Sequence, residues 1–202
     1  MFISSYRQKS AKRVAQCGRS FIKDSKGAVA VEMALVSIPF LTMMFGILNT
    51  GLYFYAINCV DRALEDAARY VRTGEAQKGS YPSATGPMNV GQFRTLVCQK
   101  ATSYIDCSKM HIRIMSGNDW SAISAFSCPT AGALNTGALV ANDPTALATK
   151  TGTQNSVVLI VACYQWSMGK YLPFVRFDSR FADGSTLIQS STALKVEPYV
   201  GS

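Results

Sequence analysis

One uninterrupted apolar run organises the whole chain. From Met33 to Val60 it reads MALVSIPFLTMMFGILNTGLYFYAINCV, 28 residues without Asp, Glu, Lys, Arg or His. About 20 apolar residues in helical form cross a hydrocarbon core, and buried core helices seldom keep so long a stretch uncharged. The run therefore predicts a transmembrane helix. Tyr53 and Tyr55 fall near its far end, where aromatic rings gather at the membrane–water interface. Past the run, Val60, Ala63, Leu64, Ala67, Ala68 and Val71 recur at i, i+3, i+4, i+7, i+8 and i+11, one apolar stripe of a 3.6-residue period. Arg62/Asp66 and Glu65/Arg69 stand at i,i+4 as opposite charges on the wet face. Gly74 supplies a stop. The pattern predicts one helix from Ala28 to Thr73, kinked or locally opened at Pro39, whose ring cannot take an interior helix bond.

The remaining chain reads as a small mixed domain. Residues 75–89 are rich in Gly, Ser, Pro and Thr and predict a connector. Asn89 is placed to cap a second helix, with Phe93, Leu96, Val97, Ala101 and Tyr104 at helical spacing. His111 to Met115 alternates like a half-buried strand. Ser156 to Trp166, SVVLIVACYQW, predicts a central strand covered on both faces, although periodicity alone leaves a helix open. Thr186 to Tyr199 predicts a last strand beside it, with Pro198 marking its end. Between them, 117–155 is a long Ser/Thr/Ala/Gly/Asn stretch that predicts a loop, with a short helix around Leu134–Val140. The fold class expected is α+β: a long N-terminal helix, a small antiparallel sheet and a second helix. The outer half of the first helix should lend its apolar face to the sheet. The domains expected are a leader over 1–27, the helix over 28–74 and an outer α+β domain over 75–202.

Charge changes the picture by its placement. The chain carries 20 Lys and Arg against 12 Asp and Glu, but seven of the basic residues and one acid lie in residues 1–27. The body is nearly neutral, which argues against nucleic-acid binding despite a pI of about 9.3. A basic flank before a membrane helix predicts the N-terminus in the cytoplasm and the C-terminus outside. The apolar run exceeds the ~7–15 residues of a cleaved secretory signal, and no A-x-A site follows it. With 48% hydrophobic and 16% charged residues, the composition is not that of a disordered chain.

Six cysteines fit an exported domain. Cys17 lies in the leader and Cys59 at the outer membrane boundary, leaving Cys98, Cys107, Cys128 and Cys163 as an even set. Four cysteines allow three pairings, and spacing favours Cys98–Cys107 with Cys128–Cys163. A metal site built on Cys98, Cys107 and His111 is the competing reading, but there is no C-x-x-C knuckle and His111 is the sole histidine. Neither a metal nor a cofactor is expected.

The junction of leader and apolar run reads Lys26-Gly27-Ala28-Val29-Ala30-Val31-Glu32-Met33-Ala34-Leu35. Glu32 is the single charge at the head of a membrane helix, where a carboxylate is costly and marks function by default. A cut after Gly27 creates a partner: the new α-amino group of Ala28, one helical turn away at i+4. Gly27 followed by Glu32 at the fifth mature position resembles the class III prepilin signature of type IV pilins. Ala30-Val31-Glu32, Pro39, Phe45-Gly46 and Ala67-Ala68-Arg69-Tyr70 resemble more particularly the TadE-like proteins of the tight-adherence (Flp, type IVb) pilus system, as does the ending Glu197-Pro198-Tyr199. The strong resemblance covers residues 26–74. Met33 stands where Phe is usual, and Ala28 is not the Phe of major type IVa pilins, so N-methylation is not expected. The resemblance implies cleavage between Gly27 and Ala28 by a membrane aspartyl prepilin peptidase, with Glu32 serving recognition and register. It implies a non-enzymatic minor pseudopilin of a bacterial inner membrane, with its C-terminus in the periplasm. Its partners would be the membrane, the prepilin peptidase and other pilins and pseudopilins of the Tad system; it would enter a pilus at the cell surface.

Catalytic constellations are not evident. One histidine does not make a multi-His site, and Phe177 to Gly184, with Asp178 and Asp183, lacks EF-hand spacing and reads as a polar turn. Tyr171-Leu172-Pro173-Phe174-Val175 reads as a packing segment. Two other classes fit the same residues: a permanently membrane-anchored periplasmic scaffold or binding domain, and a membrane-tethered enzyme acting through carboxylates.

Overall fold

The computed structural model of the chain describes residues 25–81, 86–101, 104–129, 143–171 and 181–198. The basic leader through residue 24, the short helix expected around Leu134–Val140, the packing segment after Tyr171, the first part of the 177–184 turn and Tyr199 lie outside the described residues.

The first helix, α1, runs Ser25–Arg72 with Pro39 inside it. The chain divides into two compact units between Leu48 and Asn49, within this helix. In the first unit the described side chains have no core to enter. Val29, Val31, Met33, Leu35, Val36, Ile38, Phe40, Met43 and Ile47 are all exposed. Around Pro39, Ser37 Oγ donates to the Met33 carbonyl at 2.6 Å and Thr42 Oγ1 to the Pro39 carbonyl at 2.9 Å. Hydroxyls turned back onto the backbone need no other partner in an apolar medium. This is the one helix among the described residues long and apolar enough to cross a membrane. Its length and composition suit it to cross a membrane once, near the N-terminus.

The second unit starts at Asn49 and contains the rest of α1, where the apolar stripe finds its core. Val60, Ala63, Leu64, Ala67 and Val71 are almost fully buried, while Arg62, Glu65, Asp66 and Arg69 stay at the surface. Small residues along that stripe allow close approach of the helix backbone to what it packs on. The helix ends through Thr73 N–H bonding the Arg69 carbonyl at 3.0 Å, with Gly74 left-handed at φ 76°. A side chain there would cost about 1 kcal/mol, which is why glycine ends the helix. One short turn of helix, α2 (Glu75–Lys78), occupies part of the expected connector.

Helix α3 (Val90–Lys100) carries the full capping box. Asn89 Oδ1 accepts from Gln92 N–H at 2.7 Å, and Gln92 Oε1 accepts from Asn89 N–H at 2.9 Å. Phe93, Leu96 and Val97 are buried on one face. The helix stops a turn sooner than the spacing predicts: Ala101 is extended at ψ 158°, and Tyr104 lies beyond the helix. The chain turns there because Cys98 is bonded back to Cys107 and the Arg94 guanidinium holds the carbonyls of Met110 and Cys107.

Strands β1 (Met110–Gly117), β2 (Val157–Trp166) and β3 (Thr186–Lys195) form one antiparallel sheet in the order β1-β2-β3. Met110 pairs with Tyr164 and Gly117 with Val157; Val157 pairs with Lys195 and Trp166 with Thr186. The continuous apolar run is thus the central strand. On one face Ile160, Ala162 and Tyr164 join α1, Phe93 and Val97 in the main core. On the other, Val161 and Cys163 join Cys128, Phe181 and Leu187. The architecture is α+β, as the pattern predicts. Strand β3 ends at Lys195, short of the predicted Tyr199. Val196 N–H bonds the Ser156 carbonyl, and Glu197 N–H satisfies the Arg72 carbonyl at the end of α1 (both 2.9 Å). The last residues therefore leave the ladder to cap a helix. A short helix, α4 (Leu147–Thr151), closes the described part of the long loop.

Candidate functional site

The head of α1 is the first candidate. Gly27 is half-buried and Ala28 and Glu32 are exposed, all within the helix. Glu32 is one turn further on, at i+4 from Ala28, and the exposed apolar side chains begin around it. An isolated carboxylate on a helix with no charge of opposite sign between Gly27 and Asp61 is arranged to meet a cation from elsewhere or from a new chain end.

The cysteines are arranged as two cross-links. Cys98–Cys107 ties the end of α3 to the turn before β1, and Cys128–Cys163 ties the descending loop to the central strand, each with Cα atoms 5.8 Å apart. Loops of these lengths typically contribute ~2–4 kcal/mol each. With both sulfurs in a disulfide, Cys98 and Cys107 hold no thiolate for a metal. His111 is buried on β1, opposite Cys163 in the ladder. No group of three or more His, Cys, Asp or Glu side chains is assembled among the described residues.

Asp183, the acid of the polar turn, is engaged locally. Its carboxylate accepts from Ser185 Oγ at 2.5 Å and Ser185 N–H at 3.0 Å, with Lys170 Nζ at 3.4 Å. The Ser185 hydroxyl, more than the other contacts, holds its pKa down at about 2. Asp106 and Asp143 repeat the device with Ser108 and Thr145, whose hydroxyls pull both carboxylates below their usual range. These acids close turns; they do not face one another.

A feature that spacing did not expose is a cleft of about 300 Å³ lined by Leu52, Tyr55, Ala56, Tyr104, Trp166 and Met168. Tyr55 and Tyr104 meet edge to face at 6.3 Å, and Trp166 lies 5.5 Å from Tyr53. The lining residues come from three separate stretches of chain, so no local pattern announces them. The one signal available was that Met168 is large and apolar in a segment without periodicity.

Comparison with known proteins agrees with the head of the helix. The model of the TadE-like protein family matches residues 27–69. No curated protein and no solved structure shows significant similarity to the chain. The match begins at Gly27, covers the exposed apolar half of α1 and ends at Arg69 in its buried half. Residues 27–69, most of the long N-terminal helix, are thus similar to the TadE-like protein family.

Proposed function

We propose that the chain is a minor pseudopilin that takes part in assembling a Tad-type pilus. The observation that carries this reading is positional. The family match opens on Gly27, and five residues later Glu32 stands as the lone charge at the head of an exposed apolar helix. The basic flank holds the N-terminus in the cytoplasm, and the cysteine-bearing domain lies outside. A prepilin peptidase cuts between Gly27 and Ala28. Glycine at position 27 eases local opening of the helix there, since it favours helix by about 1 kcal/mol less than alanine.

Cleavage removes the cationic leader and leaves a helix whose only charges near its head are Glu32 and the Ala28 amine, of reference pKa about 7.7–8.0. Apolar side chains attract without specifying axial position, so helices alone would slide. A carboxylate in a low-dielectric bundle is tolerated only where it meets a cation, which selects one register. Glu32 meets either its own amine or that of a neighbouring subunit. The outer domain is non-catalytic and supplies the surface that other pilus proteins touch.

The test is Glu32→Ala in cells that make the pilus. The variant inserts in the membrane as wild type does, but its amount in sheared surface fractions falls strongly. Equal amounts of variant and wild type in those fractions would overturn the register role. Wild-type protein confined to the membrane fraction would instead mark a permanently anchored periplasmic domain.

A further inference from the structure

Helix α1 has its last charge before the apolar run at Glu32. Counting the ~20 residues that cross a hydrocarbon core from Met33 ends at Leu52. Leu52, Tyr55 and Ala56 therefore fall at the level of the lipid headgroups, and these three residues form one wall of the cleft of about 300 Å³. The other wall is Tyr104, Trp166 and Met168. Tyrosine and tryptophan concentrate at this depth because each pairs an apolar ring with a polar atom. Methionine adapts to irregular apolar ligands. Tyr104 is 70% exposed and Met168 42% exposed, a poor arrangement for water but a suitable one for an interface.

We propose that this cleft seats a phospholipid of the bilayer that α1 spans. The ester end of the lipid lies against Leu52, and its headgroup lies outward against Ala56 and the exposed Tyr104 and Met168. The lipid continues the membrane contact of α1 up to the foot of the outer domain and fixes that domain's footing on the membrane surface. The proposal rests on α1 spanning a bilayer and is independent of cleavage or pilus assembly.

The chain has two tryptophans, Trp120 and Trp166. Trp120 follows the Gly117 end of β1, whereas Trp166 lies beyond Tyr164 at the opposite end of the sheet. In full-length Trp120→Phe protein reconstituted into nanodiscs, Trp166 is the sole tryptophan reporter. Phospholipid brominated near the headgroup end of its acyl chains should quench Trp166 emission relative to unbrominated lipid. Met168→Glu, made in the same background, puts a carboxylate at the exposed edge of the cleft and should relieve that quenching. The difference between wild type and Trp120→Phe reports Trp120, which should not be quenched. Emission of Trp166 equal in the two lipids would overturn the proposal, as would quenching indifferent to Met168→Glu. Photocrosslinking from position 104 to a second copy of the chain, with no quenching, would assign the cleft to subunit contact instead.

Discussion

Glu32 is the only charged side chain between Lys26 and Asp61, and its isolation needs no structure to be noticed. Asn49 is the contrasting residue. It sits in the same run, carries no charge and follows no period, so nothing in the sequence marks the burial it has in the fold. Asp183 belongs with the legible residues, because an acid two positions before a serine in a glycine-containing turn closes on itself. Its depressed pKa has a consequence for acid stability. A carboxylate whose folded pKa lies below its unfolded value stabilises the fold above the unfolded pKa, and that contribution is lost as pH falls through the folded pKa. For Asp183 the window runs from about pH 4 to about 2. Asp183→Asn should therefore lose less stability than wild type across that window, measured by melting the detergent-solubilised protein at several pH values. An equal slope for both would show that the Ser185 and Lys170 contacts do not persist in solution. The side chain is about half exposed, so the difference should be small.

Among elements, those fixed by long patterns were the most legible: α1 by its length and apolar stripe, β2 by its run of β-branched residues. Their ends were less so. Helix α3 stops at Lys100 because a disulfide and the Arg94 guanidinium turn the chain, and β3 stops at Lys195 because Glu197 is needed at the end of α1. Both reasons are tertiary, and helical or strand spacing contains neither. The start of α3 was legible, since Asn89 with Gln92 three residues later is a local signature. Asn89→Ala removes the acceptor for Gln92 N–H and the reciprocal geometry. It should cost about 1 kcal/mol, lowering Tm by roughly 2–4 °C for a chain of this size. An unchanged Tm would mean that the isolated bridge between Asn89 and Ala146 holds the helix start without the cap.

At the scale of the whole molecule, two solvents shape one chain. The described side chains of the first half of α1 are mostly apolar and exposed, whereas its second half is apolar on one side and completes a core with α3 and the sheet. The same helix thus serves the bilayer and a folded domain, and the family match spans the junction between them. The aromatic cleft of the second unit was illegible, because it is assembled from side chains that only the fold brings together. In the proposed function the cationic leader serves insertion and is removed at Gly27 before the helix packs into a filament. That division is the centre of the account, and the mass of the N-terminal peptide tests it most directly. Protein extracted from membranes should begin at Ala28 in cells with the prepilin peptidase and retain the leader in cells without it. A chain that retains the leader in both would contradict the account and leave a permanently anchored domain.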